Sequence, residues 1–341
     1  MNKHMIGDKM KKVGIIYGGV STEHEVSKMS AESVIENLNK EKYEVIQIYI
    51  NQNGKWYKEE LDKKQEIVNI LEELKKLDVV FPVMHGKYGE DGTIQGMLEI
   101  LKVPYVGCKV LASSIGMDKV YTKIIFEKAG IPQAPYIYMK KKQNEYKIIS
   151  KNFEEEEFDI NKIISILKFP MFVKPSNSGS SVGVKKADNI EELKKAIEHA
   201  SQYDSKILVE QGIDGKEVEC AILEIEDNEI IASTVGEVMS AEEFYSFDAK
   251  YNIPESKTII PAIIGEAEIE HIRKLAVKAF KAIDGNGLSR VDFFIEKKTN
   301  KIYINEINTM PGFTKISMYP KLFESVGISY SDLLDKIIEN V

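Results

Sequence analysis

The chain has 341 residues, a formal net charge of −8 and 43% apolar residues, which is typical of a globular protein of two or three domains. The acidic balance and the dispersed basic residues argue against general nucleic-acid binding. The charged N-terminus and the lack of a long apolar run predict neither a signal peptide nor a membrane span. The two cysteines show no pairing or metal spacing, which favours a reducing, cytoplasmic location.

The first third of the chain alternates strands and helices, as α/β domains do. Apolar runs predict strands at 13–17, 43–50 and 78–83. Polar, glycine-rich loops follow the first and the third of these strands, and they contain Glu23 and His85. Because loops at the carboxyl ends of strands line the binding crevice of open α/β sheets, we expect the two side chains to converge.

The middle of the chain contains a charged segment and a loop of small residues. Lysines and glutamates dominate 140–157, which predicts a solvated excursion without a function. A strand at 169–175 leads into the loop 176–184, where small side chains let backbone N–H groups approach an anion and Lys174 supplies a point charge. It is not a Walker A loop, because no G-K-[ST] opens a helix there, and a flexible hairpin turn is the alternative. Amphipathic patterns predict the helices at 67–77, 113–129, 189–201, 266–283, 319–325 and 331–340.

Two apolar runs flank a short polar turn in 288–314 and predict a β-hairpin. The strand period places Arg290 and Asp292 on one face of the first strand, and Glu306 with Asn308 on one face of the second. Buried carboxylates need compensation, and Mg²⁺ prefers carboxylate and amide oxygens and also holds phosphates. The hairpin therefore predicts a divalent-cation site, or else carboxylates at the solvent-exposed end of a sheet with Arg290 as their salt-bridge partner.

The stretch 239–254 is long, polar and rich in aromatic residues. Loops of this length without repeats usually have a function in a compact domain, so we predict that this one forms a lid over a site. An irregular surface connection with an apolar anchor is the alternative.

Seven motifs stand in one order along the chain: G-G-V-S-T-E-H-E-V-S, H-G-K-Y-G-E-D-G-T-I-Q-G, M-D-K, V-K-P-S-N-S-G-S-S-V-G, A-K-Y, S-R-V-D and N-E-I-N-T-M-P-G-F-T. Together they resemble the D-alanine–D-alanine ligase family of the ATP-grasp superfamily over nearly the whole chain. The resemblance implies an α/β, ATP-grasp fold with an N-terminal open parallel-sheet domain at 1–108. It further implies central and C-terminal α+β domains at 109–213 and 214–341, with the nucleotide site between them.

The resemblance also implies which residues hold the cofactors. Two Mg²⁺ or Mn²⁺ ions would be held by the hairpin residues Asp292, Glu306 and Asn308. ATP would be contacted at its phosphates by two lysines and a loop serine, and at the adenine and ribose by two glutamates. These are Lys119, Lys174, Ser180, Glu210 and Glu217, in that order.

Two D-alanine molecules are the implied substrates, and a homodimer is the implied assembly. The residues implied for substrate binding are Glu23, His85, Lys250, Ser317 and Met318. Those implied for catalysis are Glu23, Ser180, Tyr251, Arg290 and the Gly312 amide. Among them Arg290 and Gly312 would bind the developing oxyanion, and Tyr251 would join Ser180 and Glu23 in a hydrogen-bonded network.

The expected reaction is ATP-dependent ligation of two D-alanines through an acyl phosphate, for peptidoglycan precursor synthesis. Within this class the alternative product is D-alanyl-D-lactate or D-alanyl-D-serine. A nicotinamide-dependent oxidoreductase is suggested by the opening strand, glycines and helix, but the G-x-G-x-x-G spacing is missing. A sensor without catalysis is disfavoured, because it could lose Arg290 or Asn308 without penalty.

Overall fold

The computed structural model describes residues 10–60, 63–143, 145–239 and 257–341, which contain sixteen strands in three sheets and ten helices. Lys250, Tyr251 and all of the predicted lid except Met239 lie outside the described residues. The longest helix in the described part has 17 residues, and none there is long and apolar enough to cross a membrane.

The N-terminal sheet has the strand order β4-β3-β2-β1-β5. Three of its strands run parallel, as predicted: β1 (Lys11–Gly18), β2 (Tyr43–Ile50) and β5 (Val79–Pro82). An antiparallel hairpin, β3 (Trp56–Glu60) and β4 (Lys63–Glu66), extends the sheet at one edge. The loops after β1 and β5 therefore emerge side by side at the carboxyl edge of the sheet.

Helices α1 (His24–Asn37), α2 (Ile70–Leu74) and α3 (Thr93–Leu101) accompany this sheet. The helix predicted at 67–77 is shorter than expected. The Ile67 amide donates to the Trp56 carbonyl and continues the hairpin instead. Helix α2 begins only after Asn69, whose side chain caps it.

The central sheet is antiparallel throughout, with the order β10-β9-β11-β6-β7-β8. Its strands are β6 (Tyr136–Lys142), β7 (Glu145–Ile149), β8 (Glu155–Glu157), β9 (Met171–Pro175), β10 (Lys185–Ala187) and β11 (Lys206–Gln211). The segment 140–157 is largely exposed, as predicted, but it is part of the central sheet and not an excursion from it, because it supplies the end of β6 and all of β7 and β8. Ile148 and Ile149 are buried in two different hydrophobic clusters, while Lys147 and Glu157 form an ion pair across neighbouring strands.

The predicted helix at 113–129 is two helices, α4 (Val110–Met117) and α5 (Lys119–Lys128). Asp118 between them has an extended backbone, and its carboxylate accepts the amides of Val120 and Tyr121 at the start of α5. The cap therefore fixes where Lys119 begins the second helix. Two further helices pack on the central sheet: α6 (Ile160–Ile166) and α7 (Ile190–Ala200).

The C-terminal sheet is antiparallel, with the order β14-β13-β12-β15-β16. Its strands are β12 (Gly215–Glu224), β13 (Ile230–Met239), β14 (Lys257–Ile259), β15 (Leu288–Glu296) and β16 (Ile302–Asn308). The predicted hairpin is confirmed as β15 and β16. Helices α8 (Glu266–Ala282), α9 (Met318–Glu324) and α10 (Tyr330–Glu339) complete the chain.

One hydrophobic core joins the N-terminal sheet to the last two helices. Phe313 lies at its centre, with its ring centroid 5.2 Å from that of Phe81 on β5 and 5.3 Å from that of Tyr319 on α9. The first and last parts of the chain are therefore packed against each other. The domain boundaries at 108 and 213 stay a prediction.

We expect Leu334→Ala on α10 to lower the free energy of unfolding by about 2–5 kcal/mol, because a fully buried leucine leaves a cavity. Urea unfolding followed by the fluorescence of Trp56, the single tryptophan, reports on β3 in the N-terminal sheet. Exposed Lys336→Ala on the same helix is the control. A native-like Trp56 transition in Leu334→Ala would contradict a shared core.

Candidate active site

One cleft collects most of the residues that the motifs single out. It lies where the loops after β1, β5 and β16 meet the small-residue loop between β9 and β10. The predicted site residues that line it are Glu23, His85, Lys119, Ser180, Arg290, Glu306, Asn308, Gly312, Ser317 and Met318. A recess beside it is lined by Lys119, Lys174, Glu210 and Glu306. The predicted convergence of the two glycine-rich loops is confirmed, since the Ser21 hydroxyl also donates to the His85 carbonyl at 2.7 Å.

Three carboxylates stand side by side across the C-terminal sheet. The strand register pairs Glu219 on β12 with Asp292 on β15, and Asp292 with Glu306 on β16. Glu219 and Asp292 are buried. Such a row is costly to bury unless cations balance it.

Arg290 supplies part of that balance. Its Nε and Nη2 atoms donate to the two oxygens of Asp292 at 2.7 and 2.6 Å, and Nε lies 2.9 Å from Glu219 Oε2. Burial lowers the pKa of Arg290, but Asp292 and Glu219 outweigh it and raise that pKa well above its ordinary value. The guanidinium therefore stays charged in the cleft.

The donor set fits a hard divalent cation. Three carboxyl side chains stand against one guanidinium, and Asn308 adds an amide whose Nδ2 lies 3.1 Å from Asp292 Oδ2. Within the described ranges no three His, Cys, Asp or Glu side chains form a metal-binding group. A cation here would thus take few protein ligands and complete its shell with other oxygens, as Mg²⁺ does with phosphates.

His85 has protein partners on both ring nitrogens. Nδ1 lies 3.3 Å from the Met310 carbonyl and must donate to it, so Nε2 accepts the Ser30 hydroxyl at 2.9 Å. Burial, together with the charge of Arg290 and against the hydrogen bond to Met310, lowers the pKa of His85 to about 4, so the ring is neutral. His85 therefore joins α1 to the loop after β16, and its implied role in positioning a substrate stays a prediction.

The backbone around Gly312 is held from two sides. The Phe313 amide donates to Ser30 Oγ at 3.3 Å, and its carbonyl accepts the Tyr330 hydroxyl at 2.6 Å. These contacts come from α1 and α10, which are far apart in the sequence. The Gly312 amide consequently sits in a segment with little freedom, as an oxyanion donor requires.

Glu23 fits into a space made by two glycines. A Cβ at Gly86 would overlap Glu23 Oε2, and a Cβ at Gly179 would lie 2.7 Å from the same atom. The Ser180 hydroxyl donates to Glu23 Oε1, which gives the predicted Ser180–Glu23 contact. The carboxylate is buried and turned toward the cleft.

Asp118 orders the phosphate-loop candidate. Besides capping α5, it accepts the Ser176 hydroxyl at 2.6 Å and forms an ion pair with Lys206. Lys119, the next residue, donates from Nζ to the Ser178 carbonyl at 2.5 Å. The M-D-K motif thus connects the start of α5 to the loop, through the carboxylate of Asp118 and the ammonium group of Lys119.

Glu210 forms ion pairs with two lysines in the neighbouring recess. Lys174 Nζ lies 2.8 Å from Oε2, and Lys123 pairs with Oε1. Burial raises the pKa of Glu210, but the two lysines outweigh it and lower the pKa to about 2. Burial lowers the pKa of Lys174, but Glu210, with smaller contributions from Glu306 and Glu217, outweighs burial and raises that pKa. The implied contacts of Lys174, Glu210 and Glu217 with ATP stay predictions.

The sequence analysis missed two carboxylates of the cleft, Glu219 and Glu90. Glu219 was detectable, because it follows Glu217 by two residues on a strand and must share its face. Glu90 accepts the Gly86 amide at 2.6 Å, and burial together with Glu23 raises its pKa to about 8. No local pattern distinguishes Glu90 from Asp91, since its burial depends on the packing of the whole loop.

Two family models match consecutive parts of the chain. The model described as D-ala D-ala ligase N-terminus matches residues 12–108, and the one described as D-ala D-ala ligase C-terminus matches 125–339. The chain belongs to the D-alanine–D-alanine ligase family. The predicted family, the ATP-grasp fold and the enzyme class, an ATP-dependent ligase, are thereby confirmed.

Relatives agree over nearly the full length. A D-alanine–D-alanine ligase of Acetivibrio thermocellus is 50% identical over 98% of this chain and 96% of that protein. The solved VanG D-Ala:D-Ser ligase of Enterococcus faecalis is 36% identical, with a TM-score of 0.84 over 97% of this chain and 99% of that one. The D-alanine–D-alanine ligase of Coxiella burnetii is 31% identical, with a TM-score of 0.83 over 97% and 93%.

We expect the buried, neutral His85 to make the protein less stable as the pH falls. The unfolded chain gains a proton near pH 6.5 and the folded chain only near pH 4, so the stability contributed above pH 6.5 is lost between these values. About 2 kcal/mol should disappear by pH 5. Glu90, whose pKa is raised to about 8, changes the stability in the opposite direction over this range, so the loss is measured as the difference between the native protein and a variant without His85, in urea unfolding at pH 7 and pH 5.

The comparison is with His85→Gln, which should lack this part of the pH dependence. The exposed His271→Gln on α8 should keep it. If the free energy of unfolding changed equally with pH in the native protein and in His85→Gln, the His85 imidazole would be protonated in the folded state over the same pH range as in the unfolded chain.

Proposed function

We propose that the chain joins two D-alanine molecules into D-alanyl-D-alanine, with conversion of ATP to ADP and phosphate, for peptidoglycan precursors. The observation that carries the proposal is the cleft itself. It brings a carboxylate, a charged guanidinium, a backbone amide and a carboxylate–amide cation cradle together from distant parts of the chain. The name of the relative that is 50% identical supports the same substrates.

The first half of the reaction activates a carboxylate, which is a poor electrophile. Glu23 would bind the ammonium of the first D-alanine and so turn its carboxylate toward the recess. Transfer of the γ-phosphoryl group then forms an acyl phosphate. Lys119 and Lys174 would hold the phosphates, and Glu210 and Glu217 would hold the adenine and ribose ends.

The cation cradle would be Asp292, Glu306 and Asn308, holding two Mg²⁺ or Mn²⁺ ions. When bound, these ions would neutralise phosphate charge during transfer. The rest of the work falls to the protein, which must orient the phosphates and exclude water from an intermediate that hydrolyses.

The second half is attack by the amine of another D-alanine. The tetrahedral oxyanion would be met by the charged Arg290 and the fixed Gly312 amide. Ser317, with Lys250, would hold the second carboxylate, and Met318 would pack beside it. The roles of Lys250, Tyr251 and the lid stay predictions, since they lie outside the described residues.

The assembly and location that we propose are a homodimer in the cytoplasm, with three domains at 1–108, 109–213 and 214–341. Both cysteines, Cys108 and Cys220, are free and buried, which suits a reducing compartment.

D-alanyl-D-serine is the second candidate product. The observation that favours it is the structural similarity to the VanG D-Ala:D-Ser ligase. It ranks below D-alanyl-D-alanine because the relatives at 45–50% identity carry the D-alanine name.

The test is phosphate release with ATP and Mg²⁺, using D-alanine alone, D-alanine with D-serine or D-lactate, L-alanine, and no amino acid. We expect D-alanine alone to support turnover and D-alanyl-D-alanine to be the main product by mass spectrometry. Metal removal with EDTA should stop the reaction. D-alanyl-D-serine as the main product from equal amounts would favour the second candidate, and turnover with L-alanine would contradict both.

We expect Gly86→Ala to raise the KM for D-alanine roughly tenfold or more, because the new methyl group displaces the Glu23 carboxylate. The KM for ATP should change little. Gly54→Ala is the matched control, since Gly54 has a similarly positive φ (77° against 70°) but its Cβ would only touch Val20 at 3.8 Å. Equal effects of the two variants would show that backbone strain, and not Glu23, is responsible.

A further inference from the structure

Arg290 is shared between two buried carboxylates, and only one of them belongs to the cation cradle. The guanidinium donates to both oxygens of Asp292, while Nε is also 2.9 Å from Glu219 Oε2. Glu219 is 3% exposed and pairs with Asp292 in the strand register. None of the roles assigned above uses Glu219.

The oxygens of Asp292 are nearly saturated with donors. Oδ1 accepts Arg290 Nε, and Oδ2 accepts both Arg290 Nη2 and Asn308 Nδ2. A carboxylate offers about four lone-pair sites, so three of them are taken. One site is left, on Oδ1, so a divalent cation that binds through both oxygens of Asp292, or through Oδ2, must displace a donor. The guanidinium contributes two of the three donors.

A displaced guanidinium needs another carboxylate. Arg290 is largely buried, and an unpaired buried charge is strongly unfavourable. Glu219 already touches Nε and needs no strand to move in order to take the whole fork. Its place in the register keeps the guanidinium on the face of the sheet that lines the cleft.

We propose that Glu219 is a positioning residue that retains Arg290 in the cleft when a divalent cation takes Asp292. The inference rests on the proposed function, because it requires a cation at the cradle. It assigns Glu219 to the cation-loaded protein, in which it lowers the cost of releasing Asp292 from Arg290. Glu219 thereby favours cation binding without being a ligand.

The first test measures Mn²⁺ binding in the presence of saturating ADP. The electron paramagnetic resonance signal of free Mn²⁺ reports how much of the metal is bound. Glu219→Gln keeps the shape but removes the charge, so Arg290 stays on Asp292 and Mn²⁺ should bind roughly tenfold more weakly. Glu224→Gln at the far end of β12 should bind Mn²⁺ as the native protein does.

A double-mutant cycle separates this role from simple loss of a nearby negative charge. If Glu219 acts through Arg290, Glu219→Gln should cost little Mn²⁺ affinity in an Arg290→Met background, because no guanidinium competes for Asp292. If its charge acts directly on the cation, the loss should be the same in both backgrounds, and that additive result would overturn the proposal.

Two further outcomes complete the test. Absence of Mn²⁺ binding by the native protein would contradict the proposed function itself, whereas native binding with an additive cycle contradicts only the role of Glu219. If Glu219→Gln does not fold, Glu219→Asp replaces it, because it keeps the charge but shortens the reach to Arg290. Weaker Mn²⁺ binding by Glu219→Asp supports positioning, and native-like binding contradicts it.

Discussion

The row of carboxylates across β12, β15 and β16 is the constraint on which the rest of the site depends. Glu219, Asp292 and Glu306 are brought together by strand register, and a sheet cannot hold them on one face without positive charge. Arg290 balances part of this negative charge, and a divalent cation would balance the remainder. In the proposed reaction the same guanidinium would also bind the developing oxyanion, so one ion-pair network would serve both tasks.

The opposite wall of the cleft depends on packing between the two ends of the chain. Phe313 is buried between β5 and the last helices, and its backbone is held by Ser30 of α1 and Tyr330 of α10. His85 adds a third connection through its two ring nitrogens. The N-terminal sheet therefore fixes the loop that carries Gly312, which lies more than two hundred residues away in sequence.

The cationic side of the cleft is already paired with protein groups. Lys174 is held by Glu210, and Lys119 by the Ser178 carbonyl. Binding of an anion here would exchange one partner for another and would not require burying a free charge. Asp118 stabilises this arrangement because it joins the start of α5 to the loop that contains Ser178.

Local patterns in the sequence determined much of the fold. Alternation over 288–314 identified the hairpin and placed Arg290 with Asp292, and Glu306 with Asn308, on one face of each strand, because side-chain direction within a strand depends on residue parity. That Asp292 lies opposite Glu306 follows from the strand register. The motifs likewise pointed to the residues that line the cleft. Only the tertiary structure decided that 140–157 joins a sheet, that Asp118 divides a helix and that Glu219 completes the carboxylate row. Strand pairing and register join segments that are distant in sequence and leave no periodic signal in either segment alone. Asp118 caps α5 locally, but its carboxylate is also bound by Ser176 and Lys206, which only the tertiary structure brings to it.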